Sequence, residues 1–139
     1  MGKRRVRNLL FNGVSKEKIF GFNPIAERCQ EVEKEYKIKT FTNFEDAEKI
    51  NPDAYIISTP PLSHHEYFLH AAKKKKHFFV EVTTESVGYD ELKPLVDGSF
   101  VAAPSCTFRY FPAVKKIKQL LLDGKIGKPM SFNHYLGQY

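Results

Sequence analysis

The chain has no tryptophan and only two cysteines, Cys29 and Cys106, in 139 residues. Two cysteines exclude a disulfide framework, and free thiols in a reducing cytoplasm are the expected state. Long hydrophobic runs are missing as well. No window approaches the roughly eighteen apolar residues that a membrane-spanning helix requires, so no membrane partner is expected. The start, Met1-Gly2-Lys3-Arg4-Arg5, is basic, but Arg7-Asn8 and Asn12-Gly13 break up the apolar residues after it, leaving neither a signal-peptide core nor a cleavage pattern. Charge of one sign is in modest excess: 22 Lys plus Arg against 16 Asp plus Glu give +6. That attracts phosphates without marking a nucleic-acid binder, and the lysine run 73–76 reads as a solvated helix end. What is present is 42% hydrophobic and 27% charged residues, with eight Gly and eight Pro. This composition suits one ordinary soluble domain, and no repeat or low-complexity stretch interrupts it.

Apolar spacing predicts a short helix over Arg4–Phe11, closed by Asn12-Gly13, and a strand over Lys18–Asn23. Asn23-Pro24 matches an N-cap followed by a first-turn proline, opening a helix to about Tyr36 with Ile25, Cys29 and Val32 on one face. Lys39–Phe41 reads as a strand, and Thr42-Asn-Phe-Glu45 has capping-box spacing before a helix to Ile50. Ala54–Ser58 is wholly apolar, as in a strand buried within a parallel sheet. Thr59-Pro60-Pro61 forces an extended exit, and Ser63 can cap a helix through Lys74. Further strands are expected at His77–Glu81 and Phe100–Ala103, and a helix at Tyr89–Val96. Pro112–Leu122 is amphipathic, with Val114, Ile117, Leu120 and Leu121 facing in. Met130–Tyr135 alternates as a last strand. Strands and helices alternating through short links predict an α/β fold with right-handed crossovers and a mostly parallel sheet.

Three stretches, in this order, resemble the N-terminal half of the Gfo/Idh/MocA oxidoreductases. They are Ser58-Thr-Pro-Pro-Leu-Ser-His64, Lys76-His-Phe-Phe-Val-Glu81 and Phe108-Arg-Tyr-Phe-Pro112. The closing Gly127-Lys-Pro129 and Gly137-Gln-Tyr139 are similar to the strand leading into that family's C-terminal domain, closest to members of polysaccharide and nonulosonate pathways. The resemblance implies a Rossmann-like NAD(P)-binding domain over 1–111, followed by the start of an α+β domain over 112–139. It also implies a sugar or polyol substrate and hydride transfer to or from nicotinamide. The family's Gly-x-Gly-x-x-Gly loop is represented only by Gly2, at the third glycine, so the sheet is expected to lack its first strand. The chain reads as truncated at both ends. Val82 and Thr83 stand where the family has a lysine and a proline, so no catalytic residue is assigned.

The expected cofactor contacts are then Gly2 at the pyrophosphate, with its helix dipole, and Asn23 at the adenine ribose. Arg28 is within reach of a 2′-phosphate, which leaves NAD against NADP open. Thr59, Pro60, Pro61 and His64 are expected to line the cofactor at the carboxyl edge of the sheet, and Glu81 to contact the nicotinamide-side ribose. Arg109 is the expected substrate contact. His64, His65, Glu66 and His70 lack a second ligand cluster, so no metal is expected. Cys106 reads as a small buried residue rather than a nucleophile. Nicotinamide dinucleotide binding, weak if present, is the leading function. A non-catalytic remnant or protein-interaction module is the alternative. Finally, the expected sheet leaves Lys18–Asn23 and Ala54–Ser58 either paired directly or open at their edges, with self-association as the outcome.

Overall fold

The computed structural model describes residues 1–82, 85–133, 135 and 137. It divides into two compact units, Met1–Ser105 and Cys106–Tyr139. The first unit alternates helices and short strands. Helix α1 (Gly2–Phe11) comes first, then β1 (Phe20–Phe22), α2 (Ala26–Tyr36), β2 (Lys39–Phe41) and α3 (Phe44–Glu48). Strand β3 (Ala54–Ile57), α4 (His64–Lys73), β4 (His77–Val80), α5 (Tyr89–Leu92) and β5 (Ala102–Pro104) complete it. Every ladder is parallel, as consecutive β–α–β links require. One sheet has the order β1-β2 and the other β3-β4-β5. Register pairs Phe20 with Lys39 in the first sheet, and Ile57 with Val80 and Val80 with Pro104 in the second. This is the α/β, parallel architecture expected from the alternation, in two sheets rather than one, and it is Rossmann-like as the resemblance implies.

The core sits where α4 lies on the second sheet. Ile57, Phe78 and Val80 from the strands meet Phe68, Leu69, Ala71 and Ala72 of the helix, with Leu92 and Phe100 closing the cluster. Ala71 and Ala72 are completely buried, and side chains that small let the helix backbone approach the strands closely. Phe68 stacks on Phe78 and Tyr89, at centroid separations of 6.2 and 5.5 Å. A second aromatic group ties the two sheets together, with Phe22 of β1, Phe44 of α3 and Tyr67 of α4 in mutual contact.

Several local expectations change, each for an identifiable reason. Asn23 does not cap α2: its Oδ1 accepts from the Ile25 backbone N–H at 3.0 Å, forming an Asx turn, and the helix starts at Ala26. The cap of α3 is Asn43 rather than Thr42, its Oδ1 accepting from the Asp46 N–H at 3.1 Å. An asparagine one residue on competes at least equally for that role. Ser63 precedes α4 without a side-chain cap, because a 3-10 turn over Pro61–Ser63 already holds it near helical angles. Strand β3 buries one face only. Ile57 is buried while Ala54 and Ile56 remain exposed, so its apolar run does not mark a strand covered on both sides. Strands β1 and β3 form no ladder with each other, which removes the direct-pairing outcome.

The second unit holds α6 (Pro112–Leu122), with the bounds its periodicity predicts, yet none of its residues is buried. Val114, Leu120 and Leu121 of the apolar stripe are half-buried, while Ile117 is 40% exposed, so the stripe is only partly covered. Residues 130–133 form no strand, since an isolated strand has nothing to pair with. Thr83, His134, Gln138 and Tyr139, which the sequence motifs include, lie outside the described residues. Cys106 is exposed rather than buried.

Candidate functional site

In an open parallel sheet the carboxyl ends of the strands are where ligands bind, because loops and helix N-termini converge there. Strand β3 runs out into Ser58-Thr59-Pro60-Pro61, and the double proline keeps the exit extended before α4 turns back. His64, the first residue of α4, is 2% exposed. Its Nε2 lies 2.8 Å from the Thr59 carbonyl oxygen. A carbonyl only accepts, so Nε2 carries the proton and donates, and in the neutral ring Nδ1 holds a free lone pair. That Nδ1 has no partner. Neither does the Ser58 Oγ nor the Thr59 Oγ1, and all three atoms are buried. Buried polar groups are nearly always hydrogen-bonded, each orphan costing about 1–3 kcal/mol. Three within seven residues, at a strand end, form a set of unmet hydrogen-bonding groups.

Glu81 stands beside this loop. It follows β4 directly, and its backbone N–H donates to the Ile57 carbonyl at 3.0 Å, extending the β3–β4 ladder to the last residue before Ser58. Its side chain is already engaged. Arg5 on α1 donates from Nε to Oε1 at 2.6 Å and from Nη2 to Oε2 at 2.9 Å. The same guanidinium lies 4.6 Å above the Phe79 ring. The Arg5 hydrogen bonds hold the Glu81 carboxyl below the usual range, against the opposing effect of burial. Arg5 in turn is raised by its bonds to Glu81. Arg5, Asn8, Leu9, Asn12, Ile56 and Phe79 line an open, largely apolar groove of about 260 Å³ between α1 and the second sheet.

The remaining expected residues divide. Gly2 opens α1, one turn before Arg5, and a Cβ built there meets nothing within 4 Å. The helix start is therefore open on that side. Asn23 ends β1, its backbone N–H donating to the Phe41 carbonyl at 3.1 Å, and its side chain is committed to the Asx turn. Arg28 is exposed in the first turn of α2, and Pro60 and Pro61 are exposed on the β3 loop. Val82 is 71% exposed and carries no titratable group. Arg109 belongs to the second unit, exposed in a 3-10 turn over Thr107–Tyr110. Among the described residues no cluster of three His, Cys, Asp or Glu is arranged to hold a metal. Nor is any helix long and apolar enough to cross a membrane.

Sequence reasoning missed Arg5. It sits 76 residues from Glu81, and a basic residue on an exposed-looking first helix gives no sign of such a partner. A second polar group was also missed. Glu48, at the end of α3, receives Tyr55, His70 and Lys74, and it is fully satisfied by them.

Parallel β–α–β units with unmet polar groups at the carboxyl edge are the architecture of Rossmann-type domains. The sequence model of the Gfo/Idh/MocA oxidoreductase family, NAD-binding Rossmann fold, matches residues 2–97, and the chain belongs to that family. A search of curated proteins gives no match. Among solved structures, myo-inositol 2-dehydrogenase from Lactobacillus plantarum is similar with a TM-score of 0.75 and 23% identity, over 91% of this chain and 39% of that one. The WlbA dehydrogenase from Bordetella pertussis, solved with NADH and UDP-GlcNAcA, gives 0.68 and 18%, over 78% and 35% of the two chains. KijD10, a 3-ketoreductase from Actinomadura kijaniata solved with NADP and TDP-benzene, gives 0.69 and 17%, over 88% and 39%. At these identities the likeness shows the fold. The chain spans between 35 and 39% of the length of these three proteins.

Proposed function

We propose that the chain is the nicotinamide-dinucleotide-binding part of a cytoplasmic sugar or polyol oxidoreductase, with residues 1–111 as the cofactor domain and 112–139 as the start of a substrate domain. The observation that carries this is the trio of unpartnered buried polar atoms, Ser58 Oγ, Thr59 Oγ1 and His64 Nδ1, beside the ionised Glu81. A dinucleotide offers the hydroxyl and amide groups that such atoms lack, so the residues present fit it. When bound, the nicotinamide supplies a hydride acceptor or donor. The chain's own residues do the rest: Thr59, Pro60, Pro61 and His64 line it, Glu81 accepts from ribose hydroxyls, and Asn23 with Arg28 faces the adenine ribose. The open first turn of α1 at Gly2 receives phosphate oxygens through its N–H groups.

The 139-residue chain is expected to bind weakly and turn nothing over. Val82, at the position that would relay a proton, has no proton to relay, and Arg109, just before the substrate-domain residues, is the candidate substrate contact. Titrating NADH fluorescence should saturate only above roughly 100 µM, a binding free energy weaker than about −5.5 kcal/mol. Thr59→Val should weaken it further. No saturation at any attainable concentration would overturn the cofactor reading, and low-micromolar saturation would overturn its weakness. A second reading, a non-catalytic interaction module, is favoured by the uncovered apolar side chains of the second unit, with Leu122 73% and Met130 93% exposed. Reduction of NAD or NADP with any polyol above a blank would sink that alternative.

A further inference from the structure

The two groups that the cofactor reading treats separately, the first turn of α1 and the carboxylate after β4, are joined by one side chain. Arg5 lies one turn into α1 and makes two hydrogen bonds to Glu81, one on each carboxylate oxygen, at 2.6 and 2.9 Å. Its plane is fixed from the other side by Phe79, 4.6 Å away. Arg5 keeps 22% of its side-chain surface exposed and Glu81 9%, so water competes little for either group. Two arrangements are conceivable for a ligand hydroxyl that reaches Glu81: it displaces Arg5, or it adds to the pair. Magnitude decides. Each bond from Arg5 is charge-assisted at both ends, roughly twice as strong as a neutral one, so a neutral hydroxyl replacing it recovers about half. Displacement would also leave the guanidinium over Phe79 without its counter-charge. A carboxylate has roughly four lone-pair sites and Arg5 uses two. Addition wins.

We propose that Arg5 is the positioning residue of the cofactor site: it holds Glu81 ionised and aimed, with its two unused lone pairs free for ribose hydroxyls, and pins the start of α1 to the end of β4. This rests on the cofactor reading above and adds to it a residue outside the family stretches that carried that reading. Arg5 does not touch the ligand; it acts through Glu81. The charged groups facing Glu81 are Arg5, and at longer range Arg4 and the Met1 α-amino group, all from α1 and the residue before it. Without Arg5 the burial of Glu81 would be opposed only at longer range, by Arg4 and the Met1 α-amino group, and its proton affinity would rise.

The test is NADH binding by fluorescence from pH 5 to 8, in the full chain and in three variants. In the wild type the affinity should be flat across this window. In Arg5→Met it should fall about ten- to hundredfold overall, and should weaken further as pH drops from 7 to 5. Arg5→Lys should restore the flat profile, because the charge returns, but not the affinity, because the two-point grip does not. Lys16→Ala removes an equal charge from an exposed 3-10 turn away from Glu81 and should leave both unchanged. Should Arg5→Met fail to fold, Arg5→Lys carries the split between profile and affinity, and carboxyl carbon NMR of wild-type Glu81 must show titration below the ordinary glutamate range. Wild-type saturation together with an unmoved pH profile in Arg5→Met, or an Arg5→Lys variant with full affinity, overturns the role of Arg5 and leaves the cofactor reading standing. A wild type that never saturates overturns the cofactor reading itself.

Discussion

Replacing Glu48 by glutamine should destabilise the protein out of proportion to the one atom it changes. Glu48 ends α3 with its side chain 12% exposed, and three elements deliver donors to it. The Tyr55 hydroxyl of β3 donates to Oε1 at 2.6 Å, while Lys74 Nζ and His70 Nε2, from the last turn of α4 and the residue beyond it, reach Oε2 at 2.6 and 2.5 Å. Burial opposes the charge of Glu48, and the bonds from Lys74, Tyr55 and His70 outweigh it, so its carboxyl lies below the usual range. Lys74 is half exposed and contributes at most about 1 kcal/mol. The Tyr55 and His70 bonds are better shielded, and losing their charge assistance should cost about 1 kcal/mol each. The total, about 2–3 kcal/mol, corresponds to a drop in Tm of roughly 6–12 °C for a chain of this length. The pH dependence has a definite sign. A carboxyl lowered in the folded state contributes stability that is fully present above its unfolded value, near pH 4.5, and lost as pH falls through the folded value. Thermal melts of wild type and Glu48→Gln should therefore differ most at pH 7, and the gap should narrow progressively as pH falls below about 4.5. A shift under about 2 °C at pH 7, or a gap that persists undiminished in acid, would refute the reasoning.

Two further outcomes are expected. Gly88→Ala should cost about 2–4 kcal/mol by chemical denaturation, because φ is +83° there and a Cβ would sit 2.7 Å from His65 Cβ and 3.0 Å from the Phe68 ring; Gly98→Ala, at similar φ in open space, should cost less, and equal effects would show that packing at residue 88 is not the cause. The unladdered edges of β1 and β3 predict concentration-dependent self-association in sedimentation experiments, suppressed by Ile56→Lys; a strict monomer at about 100 µM that melts cooperatively above about 65 °C would contradict it.

The fold was readable wherever local chemistry and tertiary packing agree. The alternation of apolar runs with capped polar helices places every strand of the first unit within two residues of its observed bounds, except that Lys18 and Ile19 belong to a 3-10 turn and its exit. Parallel pairing follows from the crossovers alone. What periodicity cannot convey is whether a face has a partner. Pro112–Leu122 is amphipathic by any count and is helical as expected, but the sequence has no way to say that none of its residues is fully buried. The same blindness applies to β3, where Ala54 and Ile56 are as apolar as Ile57 and yet only Ile57 is covered. Caps fail differently. Asn23, Thr42 and Ser63 are all good capping residues, and each lost its role to a competing use of the same chemistry within two residues: an Asx turn, an adjacent asparagine, a 3-10 turn.

For the site, motif order was enough to bring Ser58, Thr59, His64 and Glu81 to one sheet edge, since a strand-end motif fixes position before it fixes contacts. It was not enough to say how those groups are satisfied. Glu81 carries Arg5 on both carboxylate oxygens, and His64 spends Nε2 on the Thr59 carbonyl while its Nδ1 stays unmet. These differences have one origin. A buried carboxylate needs a counter-charge, whereas a buried hydroxyl or ring nitrogen left unmet costs about 1–3 kcal/mol. The strongest demand was met internally, by Arg5, and the weaker ones were left open. The sequence property that separates the two cases is the charge of the group, not its place in a motif. A lone buried acid at a strand end therefore directs the search to basic residues on the helix packed over that strand, and here that search ends at Arg5.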